Sequence, residues 1–256
     1  MQKVRAKKHL GQHFLKDLDA ARRITELYRS AGPVLEVGPG MGVLTQYLTE
    51  RKDLDLFLVE IDAESVTYLR AHYGFDETRL FSTDFLHADL NQMLGLTAGD
   101  KFGIIGNFPY NISSQIFFRV LDYRGQVQEV VGMVQKEVGQ RIASPPGNKD
   151  YGILSVLLQA YYDIEYVFTV PPGAFDPPPK VDSGVIRLVR NESKVLNCDF
   201  KKFKLVVKTA FNQRRKMLSN ALKPISGQKE FPYANLRAEQ LDYIRFAEIT
   251  RALFGE

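Results

Sequence analysis

Between residues 17 and 162, short apolar runs alternate with stretches whose apolar residues recur at helical spacing. The runs fall at 34–37, 54–59, 79–82, 102–106 and 129–134. Such alternation is typical of an α/β fold, in which helices cover both faces of a mostly parallel sheet. Two later runs, 164–169 and 184–189, have no long helix between them, so we expect them to form an antiparallel pair at the edge of the sheet.

The pattern changes after Arg190, where no further strand-like run follows. Apolar residues instead form a helical stripe from Phe203 to Leu222, and a second helix is predicted from Ala238 to Phe254. We therefore predict two domains. Residues 1–192 form the α/β domain and residues 193–256 form a small all-α domain.

A glycine-rich turn, Glu36-Val-Gly-Pro-Gly-Met-Gly42, follows the first strand of the α/β domain. Glycines let the backbone turn tightly and approach a ligand, and ligands bind at the carboxyl ends of strands in such sheets. Glu60 ends the next strand, where a carboxylate can accept hydrogen bonds from a ribose. Asp84 follows the third strand, where its carboxylate can accept a hydrogen bond from the amino group of an adenine.

Two alternatives to this interpretation are a glycine turn without a ligand and a dinucleotide site. The dinucleotide fingerprint is G-x-G-x-x-G, whereas the glycines here are spaced as G-x-G-x-G after Glu36. The turn resembles that of class I methyltransferases that use S-adenosylmethionine (SAM). An acidic Glu36 suits the cationic sulfonium of SAM better than it suits a pyrophosphate.

The segment Asn107-Phe-Pro-Tyr110 follows the fourth predicted strand and therefore faces the same ligand crevice. Adenine N6 is a poor nucleophile because its lone pair is delocalised into the ring. Hydrogen-bond acceptors on its two N–H groups free that pair, and the Asn107 side chain and Phe108 carbonyl can supply them. Pro109 fixes the turn, and the Tyr110 ring can stack on an extracted base. The alternative is an Asn-capped turn with a structural proline.

Charge is concentrated at both ends of the chain. The net charge is +4, and the first sixteen residues contain five basic residues and no acid. From Lys194 to Lys223 there are nine basic residues and one acid, Asp199. We predict that Lys7, Lys8, Arg214, Arg215 and Lys216 contact RNA phosphates, although a solvated surface is the alternative.

Other functional classes find little support in the sequence. One cysteine excludes an intrachain disulfide and a cysteine-rich zinc site, and the scattered histidines suggest no metal site. The sequence has no secretory signal pattern and no apolar run of the ~18 residues that a membrane helix needs. We therefore expect a cytoplasmic protein that binds neither membranes nor DNA.

Motifs spread from Lys7 to Leu222 resemble the KsgA family, the small-subunit ribosomal RNA adenine dimethyltransferases. The resemblance implies a Rossmann-like class I methyltransferase with SAM as cofactor. It implies N6,N6-dimethylation of two adjacent adenines in the 3′-terminal hairpin of 16S rRNA, late in small-subunit (30S) assembly. The partner would be 16S rRNA within the 30S subunit or its precursor, and we expect a monomer. The matching segments are KKHLGQHFLKD, VLEVGPGMGVLT, GNFPYNISS, VQKEVGQRIA, YGILSVLLQ, FDPPPKVDSGVIRL and AFNQRRKML.

The resemblance also implies roles for individual residues. The target adenine would contact Asn107, Phe108, Pro109 and Tyr110, and Phe175 would cover the other face of the base. The residues implied for SAM are His13, Leu15, Gly38, Glu60, Asp84 and Asn107.

Two positions depart from the family pattern. His13 stands where asparagine is usual, so its charge can change near neutral pH and weaken binding of a cation. Phe108 stands where leucine is frequent, and only its backbone is expected to act.

Two other functions remain as alternatives. One is an Erm-type methyltransferase, which modifies an adenine of 23S rRNA. The other is a non-catalytic ribosome assembly or RNA-binding factor on the same fold. The intact Asn107–Tyr110 segment and SAM-type turn argue against the non-catalytic alternative.

Overall fold

The computed structural model describes residues 4–255. Residues 1–3 and 256 belong to the predicted domains, and Lys3 to the basic N-terminal cluster, but they lie outside the described residues. The strands are β1 (Phe14–Leu15), β2 (Gly32–Val37), β3 (Leu54–Glu60), β4 (Leu80–Ser82), β5 (Phe102–Asn107), β6 (Val127–Gln135), β7 (Tyr162–Val170), β8 (Phe175–Asp176) and β9 (Ser183–Arg190). The α-helices are α1 (Leu18–Leu27), α2 (Thr45–Leu48), α3 (Ala63–Tyr73), α4 (Leu90–Leu94), α5 (Ser113–Asp122), α6 (Lys136–Ala143), α7 (Ile153–Gln159), α8 (Phe200–Asn212), α9 (Leu218–Ala221), α10 (Lys223–Ser226) and α11 (Tyr243–Phe254), and the 3₁₀ helices are Lys8–Leu10, Pro172–Ala174 and Ala238–Gln240.

Seven of the strands form one sheet in the order β4-β3-β2-β5-β6-β9-β7. The pairs from β4 to β6 are parallel, and β9 runs antiparallel to β6. The predicted α/β fold with a mostly parallel sheet is therefore confirmed. The last two long strands, β7 and β9, are neighbours at one edge, as expected from the short connection between them.

Aspartate side chains mark the beginnings of several helices. Asp17, Asp62, Asp89, Asp199 and Asp242 each accept a hydrogen bond from a backbone N–H in the first turn of the helix that follows. Such caps satisfy N–H groups that have no partner within the helix. The local sequence therefore sets where α1, α3, α4, α8 and α11 begin.

The core of the sheet is built from apolar strand residues buried on both faces. Val34, Leu58, Ile105, Val131 and Val185 come from five strands and belong to one buried cluster. Residues of α1 and α3 belong to the same cluster, so helices from different parts of the chain cover the sheet. Near-continuous apolar runs are what strands buried on both faces require.

The chain divides into two compact units, which differ from the predicted domains in one segment. Within the described residues, the first unit holds 4–139 and 165–189, and the second holds 140–164 and 190–255. Residues 140–164 thus belong with the C-terminal helices rather than with the α/β unit. The reason is packing: α7 contacts α8 and α11, and the Tyr151 ring lies 6.3 Å from the Phe211 ring. The C-terminal part of the second unit, from α8 onward, contains helices, as predicted.

Two local features differ from the sequence-based expectation. The stripe predicted as one long helix is broken into α8 and α9 at residues 213–217. A small antiparallel pair, β1 with β8, joins Phe14 to Asp176 and Leu15 to Phe175. Strands of two residues carry no periodicity, so sequence pattern could not reveal this pair.

Candidate active site

A cavity opens at the carboxyl ends of β2, β3 and β5 in the α/β unit, and together with the open solvent at its mouth it encloses about 730 Å³. Its walls come from the N-terminal segment 10–15, the glycine turn after β2, the end of β3 and the segment 107–110. The lining residues are Leu10, Gly11, Gln12, His13, Phe14, Leu15, Glu36, Gly38, Pro39, Gly40, Met41, Val43, Leu44, Glu60, Ile61, Asn107, Phe108, Pro109 and Tyr110.

The cavity lies where the winding of the sheet reverses. The chain proceeds outward from β2 to β3 and β4, and then returns to place β5 on the other side of β2. Such a switch point leaves a crevice between the ends of neighbouring strands. It brings the glycine turn beside the segment 107–110, and a Cβ added at Gly38 would lie 3.7 Å from Pro109 Cδ.

Glu60 supports the glycine turn from the end of β3. Its Oε2 accepts a hydrogen bond from Gly40 N at 3.0 Å, and its Oε1 accepts one from Asp62 N at 2.8 Å. Burial raises the pKa of Glu60 above its ordinary value. Gly40 has φ +59°, and a Cβ there would meet the Phe14 ring at 2.9 Å, so glycine is required.

One hydrogen bond orients the side chain of Asn107. Its Nδ2 donates to the backbone carbonyl of His13 at 3.0 Å. A carbonyl can only accept, so the amide nitrogen faces His13 and the amide oxygen points elsewhere. Asn107 therefore lines the cavity with an orientation that leaves its oxygen as an acceptor.

Tyr110 is held by contacts from two distant segments. Its hydroxyl lies 2.5 Å from the Ser183 hydroxyl at the start of β9. Its ring stacks against the His13 ring at a centroid distance of 5.4 Å. His13 Nδ1 donates to the Pro177 carbonyl at 2.8 Å, so His13 is itself fixed. Burial raises the pKa of Tyr110, so its hydroxyl stays protonated.

The chemistry of the lining fits SAM. Glu36 and Glu60 are buried carboxyls in the wall, and none of the described lining residues is a lysine or an arginine. Such a wall favours a ligand with positive charge over a phosphate ligand. Of the residues predicted for SAM, the cavity brings together His13, Leu15, Gly38, Glu60 and Asn107.

Asp84 is not among the residues that line this cavity, and its contact with the adenine of SAM stays a prediction. Its carboxylate accepts a hydrogen bond from Leu86 N at 2.9 Å and lies 2.8 Å from His87 Nδ1. These local turn contacts orient the side chain that was expected to bind adenine.

Phe175 is also absent from the lining of this cavity, and its contact with the base stays a prediction. Its side chain is 1% exposed and belongs to the buried core of the α/β unit. Its backbone pairs with Leu15 in the small β1–β8 sheet. The structure therefore uses Phe175 as a core aromatic and does not present its ring to the cavity.

The predicted N-terminal RNA contacts separate into one engaged and one exposed lysine. Lys7 Nζ binds the carboxylate of Asp62 and lies 3.2 Å from Glu64, so its charge is neutralised within the unit. Gln12 Nε2 donates to Asp62 at 3.2 Å. Lys7 therefore fastens the N-terminal wall of the cavity, whereas Lys8 is exposed.

The predicted C-terminal contacts divide in the same way. Arg214 donates to the Lys149 carbonyl and lies 3.6 Å from Glu239, so it holds the loop 145–150 within the second unit. Arg215 and Lys216 are exposed. Arg214 is half-buried, so the triplet contains one engaged side chain and two exposed ones.

Sequence reasoning missed two residues that support the site, Asp62 and Ser183. Asp62 is buried, anchors Lys7 and Gln12, and donates its backbone N–H to Glu60. Ser183 is buried and contacts the Tyr110 hydroxyl. Asp62 lies two residues after a predicted strand end, and Ser183 lies within the matched segment FDPPPKVDSGVIRL, so their positions in the sequence pointed to both residues.

The described residues contain no group of three or more His, Cys, Asp or Glu side chains arranged to hold a metal ion. Within 4–255, no helix has the length and apolar character needed to cross a membrane.

A comparison with known families decides the affiliation of this chain. Residues 3–253 match the model of the family described as ribosomal RNA adenine dimethylase. The chain belongs to this adenine dimethylase family. The match covers both the α/β unit and the C-terminal helices, so both units are features of the family.

Two relatives are similar in sequence to this chain along its full length. A protein of Cytophaga hutchinsonii named ribosomal RNA small subunit methyltransferase A is 54% identical and covers 100% of both chains. A Porphyromonas gingivalis protein of the same name is 54% identical over 99% of both chains.

Solved structures give the same fold. A dimethyladenosine transferase from Plasmodium falciparum has a TM-score of 0.74 at 23% identity, covering 93% of this chain and 96% of that one. The 23S rRNA methyltransferase ErmE has a TM-score of 0.62 at 26% identity, covering 94% and 99%. These likenesses confirm the predicted methyltransferase fold.

Proposed function

We propose that this chain is a SAM-dependent methyltransferase that dimethylates the N6 amino groups of two adjacent adenines in the 3′-terminal hairpin of 16S rRNA. The substrate is the 30S subunit or its precursor, late in assembly, in the cytoplasm. The enzyme acts as a monomer.

The orientation of Asn107 is the observation that carries this proposal. Its amide nitrogen is engaged by the His13 carbonyl, so its oxygen is the group available to an incoming amine. An acceptor on an N6–H favours a pyramidal nitrogen with a free lone pair and stabilises the positive charge that develops on it. The Phe108 carbonyl is the second acceptor, and Pro109 fixes the turn between them.

The remaining residues divide between cofactor and base. His13, Leu15, Gly38 and Glu60 hold SAM, which supplies the methyl group when bound. Tyr110, fixed by Ser183, offers its ring to the extracted adenine. Lys8, Arg215 and Lys216 contact RNA phosphates outside the cavity.

The more similar relatives favour the small subunit as substrate. Their names specify small-subunit ribosomal RNA, whereas ErmE, named for 23S rRNA, has about half their identity to this chain. The complete Asn-Phe-Pro-Tyr segment favours an active enzyme over a non-catalytic assembly factor.

Methyl transfer from labelled SAM to unmethylated 30S subunits, with the modified bases mapped, tests this function. We expect label on two adjacent adenines near the 3′ end of 16S rRNA. Asn107→Ala serves as the matched variant, and its rate should fall about 100-fold or more because one acceptor is lost. Label on 23S rRNA, or no label despite binding to the subunit, would contradict the proposal.

A further inference from the structure

The wall of the cavity contains acidic side chains, and none of its described residues is a lysine or an arginine. Its titratable side chains are Glu36, Glu60, His13 and Tyr110. Glu60 receives two backbone N–H donors, which oppose the rise in its pKa that burial causes. Glu36 is the second buried acid in this cavity wall.

Glu36 is enclosed at the carboxyl-terminal end of β2 and is 1% exposed. The Thr45 hydroxyl of α2 donates to its Oε2 at 2.7 Å. The charged or titratable groups near it are Glu60 from β3 and the phenol of Tyr73 from α3. Both are acids, so neither favours a carboxylate at position 36.

Desolvation, with a smaller contribution from Glu60, raises the pKa of Glu36 to about 8 despite the hydrogen bonds from Thr45. Without a ligand, Glu36 is therefore mostly protonated at neutral pH. A positive charge brought into the cavity opposes this preference, because it favours the carboxylate.

We propose that Glu36 selects SAM over its product S-adenosylhomocysteine (SAH) by exchanging its own proton for the positive charge on the cofactor sulfur. This inference rests on the proposed use of SAM. The two ligands share the adenosine and amino-acid groups and differ at the sulfur, which is a cationic sulfonium in SAM and a neutral thioether in SAH. On binding SAM, Glu36 releases its proton to solvent, and after methyl transfer it takes a proton back.

The exchange predicts a pH dependence for one ligand but not for the other. SAM affinity should rise by up to about tenfold per pH unit while Glu36 ionises only in the complex, and level off above about pH 8. SAH affinity should not follow this rise. The preference of the protein for SAM over SAH therefore widens from pH 6 to pH 8.

Calorimetric titration of the full chain with SAM and with SAH, in buffers of different ionisation enthalpy, measures the proton directly. Near pH 7 we expect release of close to one proton with SAM and close to none with SAH. Equal release with both ligands would overturn the proposal, because the shared ammonium would then be responsible.

Three variants sharpen this test. Glu36→Gln should bind SAM about tenfold or more weakly than the native chain at pH 8 and almost equally at pH 6, with SAH unaffected. Thr45→Val should move the rise in SAM affinity to higher pH, because Glu36 loses a donor that favours its carboxylate. His13→Asn should retain the proton release, because His13 is not its source.

A proton release that persists in Glu36→Gln would overturn the proposal. Melting temperatures of the unliganded variants show whether each chain is folded. If the native chain binds neither SAM nor SAH at any pH, the proposed function fails. If it binds both with the same pH dependence, only the role of Glu36 fails.

Discussion

At the scale of single residues, Tyr110, whose ring we propose contacts the adenine, is held in place by a residue far from it in the sequence. Its hydroxyl and that of Ser183 are 2.5 Å apart, although 73 residues separate them in the chain. The ring can offer a flat face to a base only if it does not rotate away. Ser183 holds the hydroxyl end of the phenol, and the stacked His13 ring restricts the plane of the Tyr110 ring.

A double-mutant cycle measures this contact. Tyr110→Phe, Ser183→Ala and their combination should give a coupling free energy of about 0.5–1.5 kcal/mol in urea unfolding, because the hydroxyls lose a shared hydrogen bond. Ser183→Ala should also raise KM for the 30S subunit, with SAM affinity retained. Additive unfolding energies would show that the two hydroxyls do not interact.

The buried carboxyl of Glu36 gives the unliganded protein a pH-dependent stability. Its pKa is about 8 in the folded chain against 4.5 for an exposed carboxyl. The folded state binds this proton more tightly, so the stabilisation is complete below pH 4.5 and is lost as pH rises through 8.

Glu36→Gln should remove this dependence. From pH 5 to pH 9, the native chain should lose about 2–5 kcal/mol of unfolding free energy relative to the Glu36→Gln variant. Urea unfolding at several pH values, without SAM, measures it. A constant difference would mean that Glu36 ionises in the folded chain as it does in water.

At the scale of the elements, two glycines make room for the ring of Phe108. A Cβ at Gly132 on β6 would come 2.3 Å from this ring, and one at Gly106 on β5 would come 2.9 Å from it. The ring is fully buried and meets Phe117 edge-on at 5.9 Å. The expectation that only the backbone of Phe108 matters is therefore incomplete, since its side chain anchors the segment 107–110.

Gly132→Ala should destabilise the chain by about 1–3 kcal/mol, because the added methyl group overpacks the contact with Phe108. Thermal or urea unfolding measures the change. Gly125→Ala is the matched control, since nothing lies within 4 Å of a Cβ placed there. Combining Gly132→Ala with Phe108→Leu should recover part of the loss, and equal effects at positions 125 and 132 would contradict the packing argument.

At the scale of the whole molecule, the basic residues that were predicted to contact RNA fall into an engaged group and an exposed group. Lys7 and Arg214 are engaged by Asp62 and by the 145–150 loop with Glu239, and they hold structure together within their units. Lys8, Arg215 and Lys216 are exposed. A count of positive charges along the sequence cannot make this distinction, because it depends on the neighbours of each side chain.

Charge reversal tests the exposed pair. Arg215→Glu with Lys216→Glu should weaken binding to the 30S subunit and lower the slope of log K against log salt by about 2, as two phosphate contacts are lost. SAM binding should be retained. Lys52→Glu with Arg70→Glu makes the same charge change on exposed residues of the α/β unit. An equal loss with this control would show a general charge effect.

The sequence by itself determined the features that depend on near neighbours. Alternating apolar runs specified the strands and helices, because burial on both faces requires such runs. The glycines of the turn at 38–42 and the Asn107–Tyr110 segment were recognisable because their backbone geometry and chemistry are local. Their placement after strands 34–37 and 102–106 also predicted that they face one crevice.

Only the tertiary structure decided which side chains meet there and in what state. The pairing of β2 with β5 placed Gly38 beside Pro109, and the chain order of the strands did not state that pairing. Tertiary packing buried Phe175 in the core. Burial also raised the pKa of Glu36, because the cost of a charge depends on the water and dipoles around it. Those surroundings come from distant parts of the chain, and sequence order alone does not contain them.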